Sequence, residues 1–160
     1  MLQLTDQNTF ENYFPLLMRE VSAFEDQVNW QDLRRATDPS KQLYEVEMAS
    51  MLARVDNEVR AVIGEPWIRL KQMNDTFVAI HTIMVLAVAV QDPLFAKKTP
   101  AEQNALKWAC LLHDIAKLSI PVIEGKDHVH PFKSASIALD IMERYSMIPD
   151  LTEDKRAQLS

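Results

Sequence analysis

"VAIHTIMVLAVAV", residues 78–90, is the stretch on which the fold turns. A membrane-spanning helix needs about 20 consecutive apolar residues, so a run of 13 is too short. It is apolar nearly all the way round at helical spacing. That is the composition of a helix enclosed by other helices. Asp75 stands ahead of it as the expected cap, and Asp92-Pro93 behind it as the stop, giving a helix over 75–91. One ionisable side chain interrupts the run, His81.

Helical periodicity continues outward in both directions. Upstream, "TDPSKQLYEVEMASMLARVDNEVRAVIGEP" reads as one long helix over 39–63. Asp38 is its cap, Pro39 suits its first turn, and Gly64 and Pro66 close it. Its expected apolar stripe is Leu43, Val46, Met48, Leu52, Val55, Val59 and Val62. Further back, Phe10, Phe14, Leu17, Val21 and Phe24 recur at helical spacing. Pro15 falls inside that pattern and marks a helix start or a kink. A short helix is expected around Trp30–Ala36. Downstream, Thr99-Pro100-Ala101-Glu102 opens a helix predicted to run to about Leu118, and a loop, "SIPVIEGKDHVH", follows. Pro131 opens another helix to about Tyr145, with Phe132, Ala135, Leu139 and Met142 on one face. After Pro149 the sequence reads as the first turns of one more helix.

The fold class is therefore all-α. Residues 1–74 are expected to form a helical extension, and residues 75–160 a helical-bundle domain. Only two glycines occur, Gly64 and Gly125. Hairpins and phosphate-cradling loops depend on glycine, which disfavours a sheet-rich fold, a P-loop and a dinucleotide fingerprint. The 160 residues carry a net charge of −6 with a pI near 5.2. Broad binding to nucleic acid needs clustered Lys and Arg and is not expected. A lone cysteine, Cys110, excludes an internal disulfide, and the first residues do not read as a signal peptide. A reducing, cytoplasmic setting and no membrane are expected. The oligomeric state is not legible.

The chemistry lies in the histidines. All four, His81, His113, His128 and His130, fall between residues 81 and 130. His81 alone would read as a hydrogen-bonded core residue. His113-Asp114 is harder to explain that way. At a helix C-terminus a histidine suits the dipole but an aspartate opposes it, so something must compensate the carboxylate. Lys117 follows three positions later, on the same face, and reads as a plain ion pair if nothing else is bound. His128 and His130 precede Pro131. If Pro131 is the first helical residue, His130 takes the cap position. At least one of the two is expected to be a ligand, with His130 favoured. Imidazole and carboxylate together are the donors that suit Zn, Mn, Fe or Ni, and carboxylate with water suits Mg. A shared carboxylate such as Asp114 is able to bridge two ions.

The set resembles the HD-domain metal-dependent phosphohydrolases. The matching residues are His81 in "HTIMVL", His113-Asp114 in "LLHDIAK", and His130 in "HPFKSA", within roughly residues 75–147. The resemblance implies one or two divalent metal ions, with His81, His113 and Asp114 at the first. Asp114 would bridge to a second held by His130 or His128. It implies that Asp114 and Lys117 serve catalysis, and that Lys117 and Lys126 contact a phosphorylated small molecule, expected to be a nucleotide. Two departures stand out. Alanine occupies position 116, where the family often has glycine. The family also supplies a further Asp from a later helix, and Asp150 and Asp154 are poorly placed for it. Either the sequence is a piece of a longer protein, truncated before that residue, or the site is incomplete. Two other classes stay open: a catalytically degenerate nucleotide-binding or regulatory module, and a structural helical domain with incidental histidines.

Overall fold

The computed structural model of the chain describes residues 9–25, 38–73, 76–117 and 129–145. Among the described residues there are eight helices and no strand, the all-α class expected. In chain order they are α1 (Phe10–Tyr13), α2 (Pro15–Glu25), α3 (Asp38–Ile63), α4 (Glu65–Met73), α5 (Phe77–Gln91), α6 (Pro93–Ala96), α7 (Pro100–Leu112) and α8 (His130–Arg144). No single helix among them is long and apolar enough to cross a membrane. The helices expected at 30–36 and after Pro149 lie outside the described residues.

The central helix is the one the apolar run marks. α5 packs against α2, α3, α4, α6 and α7. Val78, Ala79, Thr82, Ile83, Leu86 and Ala87 are buried along it. Asp75, the expected cap, lies outside the described residues. Thr76 instead stands directly before the helix in left-handed backbone, φ 67°, without a side-chain cap bond. That conformation is unfavourable for a β-branched residue. The Thr76 N–H donates to the Lys71 carbonyl at 3.2 Å, tying the entry of α5 back to α4. At the other end Asp92 serves two helices. It ends α5, and its carboxylate accepts from the Leu94 N–H at 2.8 Å to cap α6.

The aromatic register upstream falls as its spacing predicts. Phe10, Phe14, Leu17, Val21 and Phe24 are all buried, and Pro15 starts α2 after a break at Phe14. The first turn of α2 has orphan amides, like any helix start. Glu58 of α3 satisfies two of them, accepting from the Leu16 and Leu17 N–H groups at 2.9 and 2.8 Å. Phe10 and Phe14 also pack edge-on against Trp108 of α7, with ring centroids 5.3 and 5.2 Å away. Buried apolar residues from Phe10 to Ile141 thus form one core.

Four elements differ from the sequence reading. Gly64 does end α3, with φ 77° and its N–H donating to the Arg60 carbonyl at 2.9 Å. Pro66, however, sits in the first turn of a further helix, α4, where proline has no N–H to lose. Along α3 the buried side carries Met51 and Ile63 beside Met48, Leu52, Val55 and Val59, whereas Val46 is 64 % exposed. α7 stops at Leu112 rather than Leu118, because the backbone tightens into i→i+3 bonds, Ile115 to Leu112 at 3.2 Å and Lys117 to Asp114 at 2.9 Å. α8 begins one residue early, at His130, and turns a different face inward. Ser134 and Ile141 are buried, with Ile137, Ala138 and Met142 packed beside them, while Phe132 is 64 % exposed. The bulky Phe132 ring thus lies on the solvent side. Small Ser134 is what the close approach to the 113–117 turn admits.

Candidate metal centre

Three elements bring the histidines together. α5 carries His81, the turn after α7 carries His113 and Asp114, and α8 opens with His130. The decisive local event is the break after Leu112. His113 still donates its N–H to the Ala109 carbonyl at 2.9 Å, and the two tightened turns then rotate Asp114 inward, where it is only 7 % exposed. Ser134 holds this turn in place. Its hydroxyl accepts the Ala116 N–H at 3.0 Å, four residues after His130 on the same helix.

Asp114 is the hub. One carboxylate oxygen, Oδ2, lies 3.4 Å from His113 Nε2, 3.7 Å from His81 Nε2 and 3.6 Å from Lys117 Nζ. The other, Oδ1, lies 3.1 Å from His130 Nε2. The His81, His113 and Asp114 donor atoms all fall within 4.8 Å of one another. The three groups expected to share one ion are thus neighbours. The His81 and His113 rings stand 5.6 Å apart, facing the same space.

The donor chemistry fits a cation. His113 Nδ1 lies 2.7 Å from the Cys110 carbonyl, which only accepts, so the proton belongs on Nδ1. The Nε2 lone pair then points toward the Asp114 carboxylate, another acceptor. Two acceptors facing each other repel unless a proton or a metal ion lies between them. A carbonyl on the far nitrogen is also the usual support for a metal-binding imidazole. For His81, burial lowers the pKa below its ordinary value. Asp114 offsets part of that, while His113 and Lys117 push it further down. The direction favours the neutral ring that a metal requires. With bonds of about 2.1 Å, ligands on one ion sit about 3.0–4.2 Å apart, which spans the 3.4 and 3.7 Å contacts here.

The remaining candidates divide. His130 reaches the opposite oxygen of Asp114 and stands outside the three-atom group, as a hydrogen-bond partner or as a donor to a second ion. His130 is the first residue of α8, with Val129 at the cap position expected for it. Lys117 is in place beside Asp114. His128, Lys126, Asp150 and Asp154 lie outside the described residues. Cys110 turns its carbonyl, not its thiol, to the site, and burial raises that thiol above its usual pKa. Sequence reasoning missed that carbonyl; it marks Ser134 as the small residue four after His130 but not its hydrogen bond to the turn. It also missed a cleft of about 640 Å³ beside Lys117. Arg69, Glu65, Leu70 and Met73 of α4 form one wall, and Lys133 and Ile137 of α8 the other.

Residues 78–158 match the HD domain, a family of metal-dependent phosphohydrolases. The chain belongs to that family. It is also similar to a multifunctional CCA protein of Aromatoleum aromaticum, 32% identical over 120 residues. That alignment covers 72% of this chain and 27% of the relative, so the chain spans about a quarter of that protein's length. No solved structure matches the chain.

Proposed function

We propose that the chain hydrolyses a phosphate ester, with a nucleotide as the expected substrate and Asp114 at the centre of the reaction. The single observation that supports this reading most is the sharing of one nearly buried carboxylate among three imidazoles and a lysine. A structural aspartate at a helix end needs no such set. His81, His113 and Asp114 would hold a divalent ion; His130, with His128 as the alternative, would hold a second ion or orient Asp114. When bound, such an ion makes water nucleophilic near neutral pH and offsets charge at phosphorus. Around it the chain's own residues divide the work. Asp114 fixes the position of the donors and carries their compensating negative charge. Lys117 holds a phosphoryl oxygen by its ammonium. Water adds to phosphorus, the ester P–O bond breaks, and the leaving oxygen takes up a proton.

The experiment pairs metal content with turnover. Purified chain and an Asp114→Ala variant are tested against nucleotide mono- and diesters with Mn, Mg, Zn or Ni added. The parent should hydrolyse at least one ester. Asp114→Ala should lose the metal and at least about 100-fold in rate, since loss of a mere outer-shell partner of a ligand already costs about 10–100-fold, while keeping its helical spectrum. A variant that binds metal and turns over substrate like the parent contradicts the mechanism. A parent that binds metal yet cleaves nothing favours the nucleotide-binding regulatory module instead.

A further inference from the structure

The cleft beside Lys117 has walls of unlike origin. α8 lies within the family match at residues 78–158, and α4 lies outside it. Among the described residues three cations line it, Arg69, Lys117 and Lys133, against one carboxylate, Glu65. Arg69 and Lys133 are exposed at its rim, and Ile115 and Leu70 are buried at its base, 3% and 2% accessible. At about 640 Å³ it is the size of a small-molecule site rather than a gap between helices. An ordinary surface gives no reason to gather three cations over an apolar floor on a chain whose net charge is −6.

We infer that this cleft is the subsite for the leaving group, and that Arg69 and Lys133 select leaving groups that carry a phosphate of their own. The occupant's chemistry follows from the lining. Arg69 offers a planar fork that matches phosphate oxygens two at a time, and Lys133 adds a point charge. Leu70, Met73, Ile115 and Ile137 offer a surface for a flat apolar body. Glu65 repels a bare polyanion but accepts from hydroxyl or amino groups. A nucleoside monophosphate has all three parts: a phosphate, a ring system, and sugar hydroxyls. Lys117 lines the cleft and also pairs with Asp114 at 3.6 Å, so this one side chain links the cleft to the reaction centre. The role as leaving-group subsite rests on the phosphohydrolase reading; the binding of the nucleotide does not.

The test reads binding, not turnover. Adenosine 5′-monophosphate and adenosine are titrated into the full chain by calorimetry, with amide shifts followed by NMR. The monophosphate should bind at least tenfold more tightly than adenosine, with shifts on α4 and α8. Arg69→Glu and Lys133→Glu should each weaken it at least tenfold, and Asp114→Ala should keep the preference. Both substituted residues are exposed, so the variants should fold, and the milder Arg69→Ala and Lys133→Ala should lose part of the preference. Equal affinity for the two probes, no binding of either, or a preference abolished by Asp114→Ala but untouched at Arg69 and Lys133, overturns the inference. Should the parent bind the monophosphate in the cleft but hydrolyse no ester, the phosphohydrolase reading and the leaving-group role fail together, and the cleft stands as a nucleotide-binding site.

Discussion

Asp114 shows how one side chain reports on a whole site. In sequence it is an aspartate where the helix dipole disfavours one. In the structure it is nearly buried and met by His81, His113, His130 and Lys117. The mismatch between local preference and placement was legible, because dipole and charge are properties of the residue and its position. The supporting contacts were not. The Cys110 carbonyl that orients His113 belongs to the backbone, and no side-chain pattern announces it. This yields a prediction for Cys110 itself. Its thiol is half-buried and plays no part in the three-atom group, so Cys110→Ala should leave metal content unchanged. Loss of bound metal in a folded Cys110→Ala protein would show that the sulfur is a ligand after all.

Between residue and fold, the helices separate into those whose boundaries are written locally and those set by a neighbour. The start of α7 is local: Thr99 and Glu102 form a reciprocal capping box, read directly from the sequence. The start of α2 is not, since its cap is Glu58, supplied from α3. α4 was missed because Gly-Glu-Pro reads as a stop, and what settles it is tertiary. Asp56 of α3 accepts from Trp67 Nε1 at 2.9 Å and pairs with Lys71 at 2.5 Å, clamping the two helices together. Burial raises the Asp56 pKa, but the hydrogen bonds from Lys71 and Trp67 and the charges of Lys71 and Arg60 outweigh it, so the net shift is downward from 3.8. A carboxylate whose pKa is lower folded than unfolded stabilises the fold above the unfolded value and stops doing so as pH falls through the folded one. Asp56→Asn should therefore melt below the parent at pH 7, and the gap should narrow as pH falls below about 4, the ordinary range for an aspartate. A gap of constant size from pH 7 to pH 3 would mean that the clamp is not electrostatic.

At the scale of the molecule, the all-α class and the central place of α5 followed from one apolar run and from the scarcity of glycine. The face of α8 did not follow, because Phe132 outweighs Ser134 in any hydropathy reading while the packing needs the small residue. The part played by the first 74 residues was hidden for a related reason: contacts distant in sequence leave no periodicity. Phe10 and Phe14 pack on Trp108, and Tyr145 donates its hydroxyl to the Val62 carbonyl at 2.6 Å. A chain beginning at residue 75 would expose that side of the core. It should show a broad, non-cooperative thermal transition where the full chain shows a sharp one. A sharp transition in both would mark residues 75–160 as an independent folding unit. What the architecture achieves is the meeting of α5, the turn after α7 and the start of α8 at one carboxylate. That meeting is measured most directly by anomalous scattering from a crystal of the full chain grown with manganese. A peak is expected about 2.0–2.3 Å from His81 Nε2, His113 Nε2 and an Asp114 carboxylate oxygen. No peak there, or a peak bound by other residues while these three stand empty, would contradict it.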